Sequence, residues 1–497
     1  MGALRSEFRG RVNPVGQNEH PLMLSRVLNI ILILLEVVVL FNLLIVVHEL
    51  GHFLAARWRG LYIEKFGIWF GKPLWKKTIN GVQYSLGSIP FGGFVALPQL
   101  APMDVIEGKA DVDRARLPRI SALDKIIVAV AGPLFSLLLA LFFACVVWAV
   151  GHPVSESDLT TVIGYVQEDS PAAKAGLRAG DKILEVDGKP VSRFFGMNNS
   201  VVWNVVRSEG DVIPFKVERE GEVLTVDVVP RIAETSGWRR KSTRQVMVQP
   251  AVTPVILRVE KDSPGAKAGL QPGDIIWGLN GTRIFSTVAL VDHIEKHPTD
   301  ELTVEVRRGA EQLQLKMRPE LLEAKGTKMP RIGIEWDAAG RMSVSHPDPI
   351  EQVYHSITST LQTIEAVASP KSDVKLQHMS GPIMIGRIYY LLFESENGWK
   401  LALWFSVILN VNLAILNMLP IPVLDGGHIV LAVIEGVRRK PVNMKILEWV
   451  QTACATLIIG YMLYITFFDL GDLLGKNGDQ KSPRRESPAA EKATPAP

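Results

Sequence analysis

Four long apolar stretches constrain the fold of this chain more than any other feature of its sequence. A hydrocarbon core of about 30 Å needs roughly 20 apolar residues in a helix. Four segments meet that length: Leu28–Val47, Ile126–Val150, Leu401–Leu424 and Leu447–Phe468. Backbone polar groups in lipid must find partners within the protein, so these segments should be α-helical. The sequence therefore predicts a polytopic α-helical membrane protein with four transmembrane helices.

Basic residues beside the spans predict their orientation. The segment between the first two spans is rich in Lys and Arg, and the loop after the third carries a basic run at 438–440. Loops with such an excess stay on the cytoplasmic side, which puts segment 151–400 outside. The basic N-terminal tail favours the opposite orientation, but the two loops outweigh it.

Both ends of the chain differ from the rest. Met23 begins the run Met-Leu-Ser-Arg directly before the first span and could be the true first residue of the protein. We therefore expect residues 1–22 to be an N-terminal extension, either added or translated from an upstream start codon, and to be disordered. Residues 474–497 are rich in Pro, Ala, Glu and Lys, a composition typical of disorder. The two membrane halves are then predicted at 23–150 and 399–470.

The outer segment contains an internal repeat. Residues 170–181 recur as 263–274, and each copy leads through a β-rich run to Asp-Gly or Asn-Gly, which suit hairpin turns. The pattern resembles PDZ domains and predicts two inserted α+β domains, at 160–235 and 250–325. Domains of this kind bind a peptide as an added strand. Two interpretations stay open: the pair recognises a peptide ligand, or it only shields the membrane part.

An amphipathic helix is predicted at 349–369, after the second repeat. Its apolar residues recur at three- and four-residue steps: Ile350, Val353, Ile357, Leu361, Ile364 and Val367. The apolar face could pack on the second PDZ-like domain or lie at the membrane surface.

The motif His48-Glu49-Leu50-Gly51-His52 follows the first apolar stretch. Residues four apart share one face of a helix, so both histidines can bind one zinc ion while Glu49 reaches its water. Ionisable groups at membrane depth are costly and are usually functional. The alternative is a His/Glu cluster outside the bilayer that binds no metal.

A third ligand is expected, because catalytic zinc usually has three protein ligands. The candidate is Asp425, at the end of the run from Asn417, in which Pro420 and Pro422 interrupt the third span. His428 is a further candidate. The two cysteines of the chain, Cys145 and Cys454, lie in apolar stretches, which excludes a thiolate zinc site and a disulfide framework.

The motifs HExxH and Asn-x-x-Pro-x-Pro-x-Leu-Asp-Gly, on separate spans that flank PDZ-like domains, resemble the site-2 protease family of intramembrane zinc metalloproteases. The resemblance implies zinc bound by His48, His52 and Asp425, with Glu49 as acid/base. It also implies substrate binding at Asn417, Pro420 and Pro422. The family often carries Gly-Pro-x-x-Asn in its second span, whereas this chain has Ser136 in place of the Asn, so the role of that position is open.

The same resemblance implies a biological setting. Substrates would be single-span membrane proteins, such as an anti-sigma factor or signal-peptide remnants, cut after a first cleavage of their ectodomain. The protein would lie in the bacterial inner membrane, with its zinc site towards the cytoplasm and the PDZ-like domains outside. The β-rich segment Val82–Leu97 resembles a membrane-associated β-hairpin, which could receive the unwound substrate as a strand.

Other polar groups in the spans receive structural interpretations. We expect Asn410 and Asn412 to form interhelical hydrogen bonds. Glu36 is expected to be buried and either paired or protonated.

Two other functions compete with proteolysis. A metal-ion transporter could hold the same ligands, but the chain shows no inverted repeat. A catalytically silent PDZ scaffold would not need Glu49. A net charge of +3 with both signs interspersed gives no reason to expect a nucleic-acid partner.

Overall fold

The computed structural model describes residues 19–100, 117–118, 120–235, 239–324, 327–337, 341–395, 397–440 and 442–475. Most of the predicted N-terminal extension and almost all of the predicted C-terminal tail lie outside these residues. Residues 19–22 belong to the first helix.

The first membrane half consists of two long helices and a small sheet. Its elements are α1 (Glu19–Trp58), β1 (Lys65–Phe70), β2 (Trp75–Ile79), β3 (Val82–Leu86), β4 (Ile89–Ala96) and α2 (Ala122–Val150). Both helices are long and apolar enough to cross a membrane. The helix α1 continues through the histidine motif, because Glu, His and Arg are compatible with helical backbone once the helix has begun. The motif therefore lies inside a helix.

The hairpin predicted at Val82–Leu97 is wrong in its pairing. The strands β3 and β4 are consecutive, but β1 lies between them, so the order is β2-β3-β1-β4. Phe66 of β1 is opposite Tyr84 on one side and Val95 on the other. This aromatic residue packs on Phe53 of α1 as well as on Tyr84, and the contact holds β1 at the centre. The real hairpin joins β2 to β3.

The first repeat domain (160–250) folds around one apolar core. The segment before the domain contains β5 (His152–Val154) and α3 (Glu156–Leu159). The domain itself contains β6 (Ile163–Val166), α4 (Pro171–Ala175), β7 (Lys182–Val186), β8 (Lys189–Pro190), α5 (Val201–Arg207), β9 (Ile213–Arg219), β10 (Glu222–Val228), β11 (Arg231–Ile232), β12 (Arg244–Gln245) and β13 (Val248–Pro250). Its sheet has the order β10-β9-β7-β8, and β13 pairs with β6.

The second repeat domain (254–337) repeats this topology. It contains β14 (Ile256–Val259), α6 (Pro264–Lys267), β15 (Ile275–Leu279), β16 (Thr282–Arg283), α7 (Thr287–Lys296), β17 (Leu302–Arg308), β18 (Glu311–Met317), β19 (Glu320–Ala324), β20 (Thr327–Arg331) and β21 (Ile334–Trp336). Its sheet has the order β16-β15-β17-β18, and β14 pairs with β21. The closing strands β13 and β21 lie beyond the predicted domain ends at 235 and 325, because each is too short to give a periodic signal.

The repeated Gly-Asp pair has the same structural role in both domains. Asp181 accepts two hydrogen bonds of 2.7 Å from Arg219, and Asp274 accepts two of 2.8 Å from Arg308. Both carboxylates are almost fully buried. A buried carboxylate requires such a partner.

The predicted amphipathic helix forms α8 (Pro349–Ala368), which follows β22 (Ser343–Ser345). It packs on α2 and on the third span: Val353 and Ile357 join an apolar cluster with the spans, and Gln352 donates to the Ala144 carbonyl at 3.2 Å. It also contacts the first repeat domain, where the Trp203 indole donates to Gln362 at 3.1 Å. Packing on the second domain, one of the two expectations, is therefore wrong.

The second membrane half contains α9 (Pro382–Glu394), α10 (Gly398–Asn417), α11 (Asp425–Arg438) and α12 (Met444–Gly475). The third span was predicted to reach Leu424, but α10 ends at Asn417. Pro420 and Pro422 lack the N–H groups that a helix needs, so the chain turns and restarts as α11.

The new helix runs back along the start of α2. Lys125 lies 2.7 Å from Glu435, and Ala432 is fully buried. The opposite face of α11 exposes Val430, Val433 and Val437. An apolar stripe of this kind suits contact with lipid.

Two expectations for polar groups in the spans are corrected. Glu36 is exposed on α1, where its neighbours are exposed apolar side chains, and is therefore not buried. Asn410 is buried but donates to the Ser406 carbonyl of its own helix at 2.9 Å. Asn412 does form an interhelical hydrogen bond, accepting from Thr360 of α8.

Candidate active site

Helical spacing brings the two histidines of the motif together on one face of α1. The Nε2 atoms of His48 and His52 are 3.3 Å apart, and both side chains are buried. Their Nδ1 atoms face α2: that of His48 lies 2.9 Å from Ser136 Oγ, and that of His52 lies 2.8 Å from the Val128 carbonyl. Both Nε2 atoms are thus turned towards a common point.

A close crossing of α1 and α2 makes this arrangement possible. A Cβ on Gly51 would lie 2.4 Å from the Ala131 carbonyl oxygen. A Cβ on Gly132 would lie 2.2 Å from His52 Nε2 and 2.8 Å from His48 Nε2. Both distances are far below van der Waals contact, so only glycine fits at these positions. The space that the missing Gly132 side chain leaves is where the two nitrogens converge.

Asp425 completes the group as the first residue of α11. Its Oδ1 lies 3.3 Å from His52 Nε2 and its Oδ2 lies 3.3 Å from His48 Nε2. The three ligand atoms of His48, His52 and Asp425 lie within 4.8 Å of one another. Within the described part of the chain Oδ2 is buried without a well-directed hydrogen bond. Two imidazole nitrogens and an unsatisfied carboxylate oxygen are a donor set that fits zinc.

Glu49 borders the same cavity, which has a volume of about 220 Å³. Val95 of β4 lines the cavity beside it, and Gly93 of the same strand lies against the Glu49 side chain. The cavity is also lined by Asn417, whose Nδ2 lies 3.3 Å from His48 Nε2. The sheet and the end of α10 therefore meet at the histidine motif.

The structure brings five predicted site residues together: His48, Glu49, His52, Asn417 and Asp425. Pro420 and Pro422 are not among the residues that line the cavity, and they shape the turn that delivers Asp425. His428 lines the cavity and is buried, but lies outside the group of three converging ligands.

Sequence reasoning did not identify Gly132 or Val128 as parts of the site, and it proposed Val82–Leu97, which contains β4, as a substrate strand without placing it beside Glu49. A Gly-Pro pair inside an apolar span was the available signal for Gly132. Val128 contacts His52 through its backbone carbonyl, which every residue type carries, so the sequence cannot indicate this contact.

The described residues include four helices able to cross a membrane and a buried His/His/Asp group with an adjacent Glu, and together these define an intramembrane zinc metalloprotease. The model of peptidase family M50 matches residues 36–461, and the chain belongs to this family, that of the site-2 proteases.

Curated relatives agree over nearly the whole chain. A protein of Neisseria meningitidis that is named a zinc metalloprotease is 30% identical over 462 residues, which cover 88% of this chain and 98% of that protein. The regulator of sigma-E protease RseP of Escherichia coli is 28% identical over 453 residues, with the same two coverages.

A solved PDZ domain of an SdrC-like protein from Listeria monocytogenes is 24% identical and covers 17% of this chain and 87% of that chain. Its TM-score of 0.16 is too low to support a structural comparison.

Proposed function

We propose that His48, His52 and Asp425 hold the catalytic zinc and that the enzyme cleaves a transmembrane segment of single-span membrane proteins. The observation that carries the proposal is the convergence of three ligand atoms within 4.8 Å, beside Glu49, in one cavity. These residues come from two elements, and Asp425 lies 373 positions after His52 in the chain.

The chemistry follows from where the side chains lie. Zinc, when bound, supplies Lewis-acid activation of a water molecule and of the scissile carbonyl. Glu49 takes up the proton of the attacking water and returns it to the leaving amide nitrogen as the C–N bond breaks. Gly93 of β4 packs against the Glu49 side chain. The Asn417 amide, which lines the same cavity, donates to the substrate carbonyl oxygen as negative charge develops on that oxygen.

We propose that β4 receives the unwound substrate. A helical substrate must give up its internal hydrogen bonds before its carbonyls can be attacked, and at membrane depth these groups need new partners. In the described sheet β4 is an edge strand that pairs only with β1. Its start packs on α1 at the level of the span, with Phe91 stacked on Phe41 at 5.2 Å. A substrate strand added at this edge would pass Glu49.

The repeat domains are proposed to control access from the outer side, with the zinc site towards the cytoplasm of a bacterial inner membrane. Support comes from α2: fifteen residues separate Ser136, beside the histidines, from Gly151, where the outer segment begins, or about 22 Å of helix. Substrates with a large folded ectodomain would be excluded, and those trimmed by a first cut would enter. An anti-sigma factor and signal-peptide remnants both meet this requirement.

A peptide ligand is proposed for the second repeat domain. A cavity of about 170 Å³ lies between α7 and the segment from β20 to β21, lined by Ile294, Ile332 and Trp336 among others. A groove between a helix and a strand is the place where an extended peptide can add to a sheet.

The substitution Glu49→Gln tests the reaction. The variant should bind zinc as the wild type does and lose cleavage of a single-span test substrate by at least 10²-fold, the lower contribution of a general acid/base. The matched control is Glu36→Gln, which changes an exposed carboxylate of the same helix and should leave cleavage intact. Undiminished cleavage by the Glu49 variant would favour the scaffold or the transporter.

Deletion of residues 160–337 tests the control of access. The shortened enzyme should cleave substrates whose ectodomain is intact, which the full chain rejects. Equal selectivity of the two enzymes would refute the gating role and leave the zinc chemistry untouched.

A further inference from the structure

A single row of α2 orients both histidines. Val128, Gly132 and Ser136 are spaced four residues apart, so they lie along one face of this helix. Val128 offers its carbonyl to His52 at 2.8 Å, Gly132 leaves the space for the ligand atoms, and Ser136 places its hydroxyl 2.9 Å from His48. The spacing of the row matches the four-residue spacing of the two histidines on α1.

The two histidines differ in what holds them. The partner of His52 is a backbone carbonyl, which keeps its position whatever side chain residue 128 carries. The partner of His48 is a side-chain hydroxyl: within the described residues, Ser136 Oγ is the hydrogen-bond partner of Nδ1. Ser136 is fully buried, so water does not reach this position as a substitute partner.

We propose that Ser136 is a positioning residue of the metal site: its hydroxyl oxygen accepts the Nδ1–H of His48 and so presents the Nε2 lone pair to zinc. This inference rests on the proposed function, because it takes His48 as a ligand. A neutral imidazole carries its proton on one nitrogen, and the hydrogen bond made by that nitrogen decides which one binds the metal. Without an acceptor at 136, the Nδ1–H would be buried and unpaired, and the ring would be free to turn.

The proposal explains why serine is sufficient at this position. Ser136 and His48 approach within 2.9 Å across the glycine-mediated helix crossing, so a short side chain reaches the imidazole. The longer asparagine expected from the site-2 protease resemblance is not needed for this contact.

Zinc affinity, measured with the metal alone by chelator competition on the purified full chain in detergent, tests the proposal. Ser136→Ala should weaken zinc binding by about 10- to 100-fold, the usual effect of losing a partner of a metal-bound histidine. Ser136→Thr and Ser136→Val form an isosteric pair that differs only in the hydroxyl. The Thr variant should bind close to wild type, and the Val variant should resemble the Ala variant.

Two controls separate orientation from packing. Ser406→Ala removes another fully buried span hydroxyl, which lies 2.7 Å from the Tyr389 hydroxyl, and should leave zinc affinity unchanged. The visible spectrum of the cobalt-substituted protein reports ligand geometry directly. It should change in the Ala and Val variants at saturating cobalt and stay unchanged in Ser406→Ala.

The outcomes distinguish this inference from the function on which it rests. The Thr and Val variants could show equal zinc affinity and equal cobalt spectra while His48→Ala still loses the metal. That result would overturn the role of Ser136 and leave the proposed metal site standing. Wild-type zinc binding by His48→Ala would instead overturn the proposed metal site.

Discussion

A buried ion pair ties the last span to the outer part of the protein, and its loss has a predictable local effect. The Asp469 side chain is fully buried in α12; its Oδ1 lies 2.5 Å from Arg240, and its Oδ2 accepts from the backbone amides of Gly381 and Met384 at the start of α9. Within the described residues, α12 makes few other contacts with the remaining elements. This junction therefore carries much of the attachment of α12.

The substitution Asp469→Asn should destabilise this junction by about 3 kcal/mol. Removing one partner of a buried pair costs about 3–5 kcal/mol because the other charge is left uncompensated. The lower end applies, since an Asn oxygen in the place of Oδ2 still accepts from both amides and Arg240 keeps Asp472 as a partner. A local opening that becomes about 3 kcal/mol easier is roughly 100-fold more populated.

Hydrogen exchange followed by mass spectrometry measures this opening. Peptides that cover 376–386 and 461–475 should lose protection by roughly 100-fold, whereas the core of the second repeat domain should not change. Asp472→Asn is the matched control: Asp472 lies 2.8 Å from the same arginine, but its side chain is 42% exposed, so the loss should not exceed about 1 kcal/mol.

A double substitution sharpens the test. Asp469→Leu combined with Arg240→Met replaces both charges with apolar groups and should restore much of the protection, because no charge is left buried and unpaired. The reasoning would be refuted if Asp469→Asn exchanged hydrogen at the wild-type rate, or if Asp469→Asn and Asp472→Asn lost protection equally.

Three further predictions concern the site and its supports. Gly132→Ala should abolish zinc binding, because its Cβ would lie 2.2 Å from His52 Nε2, whereas Gly386→Ala, which has open space around its Cα, should bind zinc normally in the same titration. Treatment with a zinc chelator should abolish cleavage, and added zinc should restore it, since three ligands alone cannot activate water; activity that persists without metal would refute the mechanism. Gly93→Ala would place a Cβ 3.3 Å from Glu49 Cγ, so the Glu49 side chain must shift, and the variant should lose kcat more than zinc affinity; a loss of both together would show that the sheet only supports the fold.

Much of the architecture could be predicted from the sequence because apolar length and motif spacing are local properties. The four spans follow from segment length, and the pairing of His48 with His52 follows from helical periodicity. The internal repeat predicted two similar domains, and the two domains share one topology in the structure. The boundaries were less accurate, because α10 ends seven residues before its apolar pattern does and the closing strands β13 and β21 are short.

The errors arose where a contact depends on distant parts of the chain. β1 lies between β3 and β4 because Phe66 packs on α1. No local sequence pattern predicts this long-range contact. Glu36 faces outwards because, among the described residues, most side chains of the first half of α1 are exposed, and hydropathy does not report the direction of a side chain.

The sequence by itself determined the chemistry available to this protein: a histidine pair and a carboxylate at membrane depth, an adjacent Glu49, and no thiolate alternative. Tertiary structure alone decided how these groups meet. Asp425 reaches the histidines because two prolines end α10 and α11 folds back along α2. The same helix α2 aligns both imidazoles, through a carbonyl, a missing side chain and the hydroxyl of Ser136. Such placement depends on close packing between segments far apart in the chain, and a one-dimensional pattern does not contain those distances.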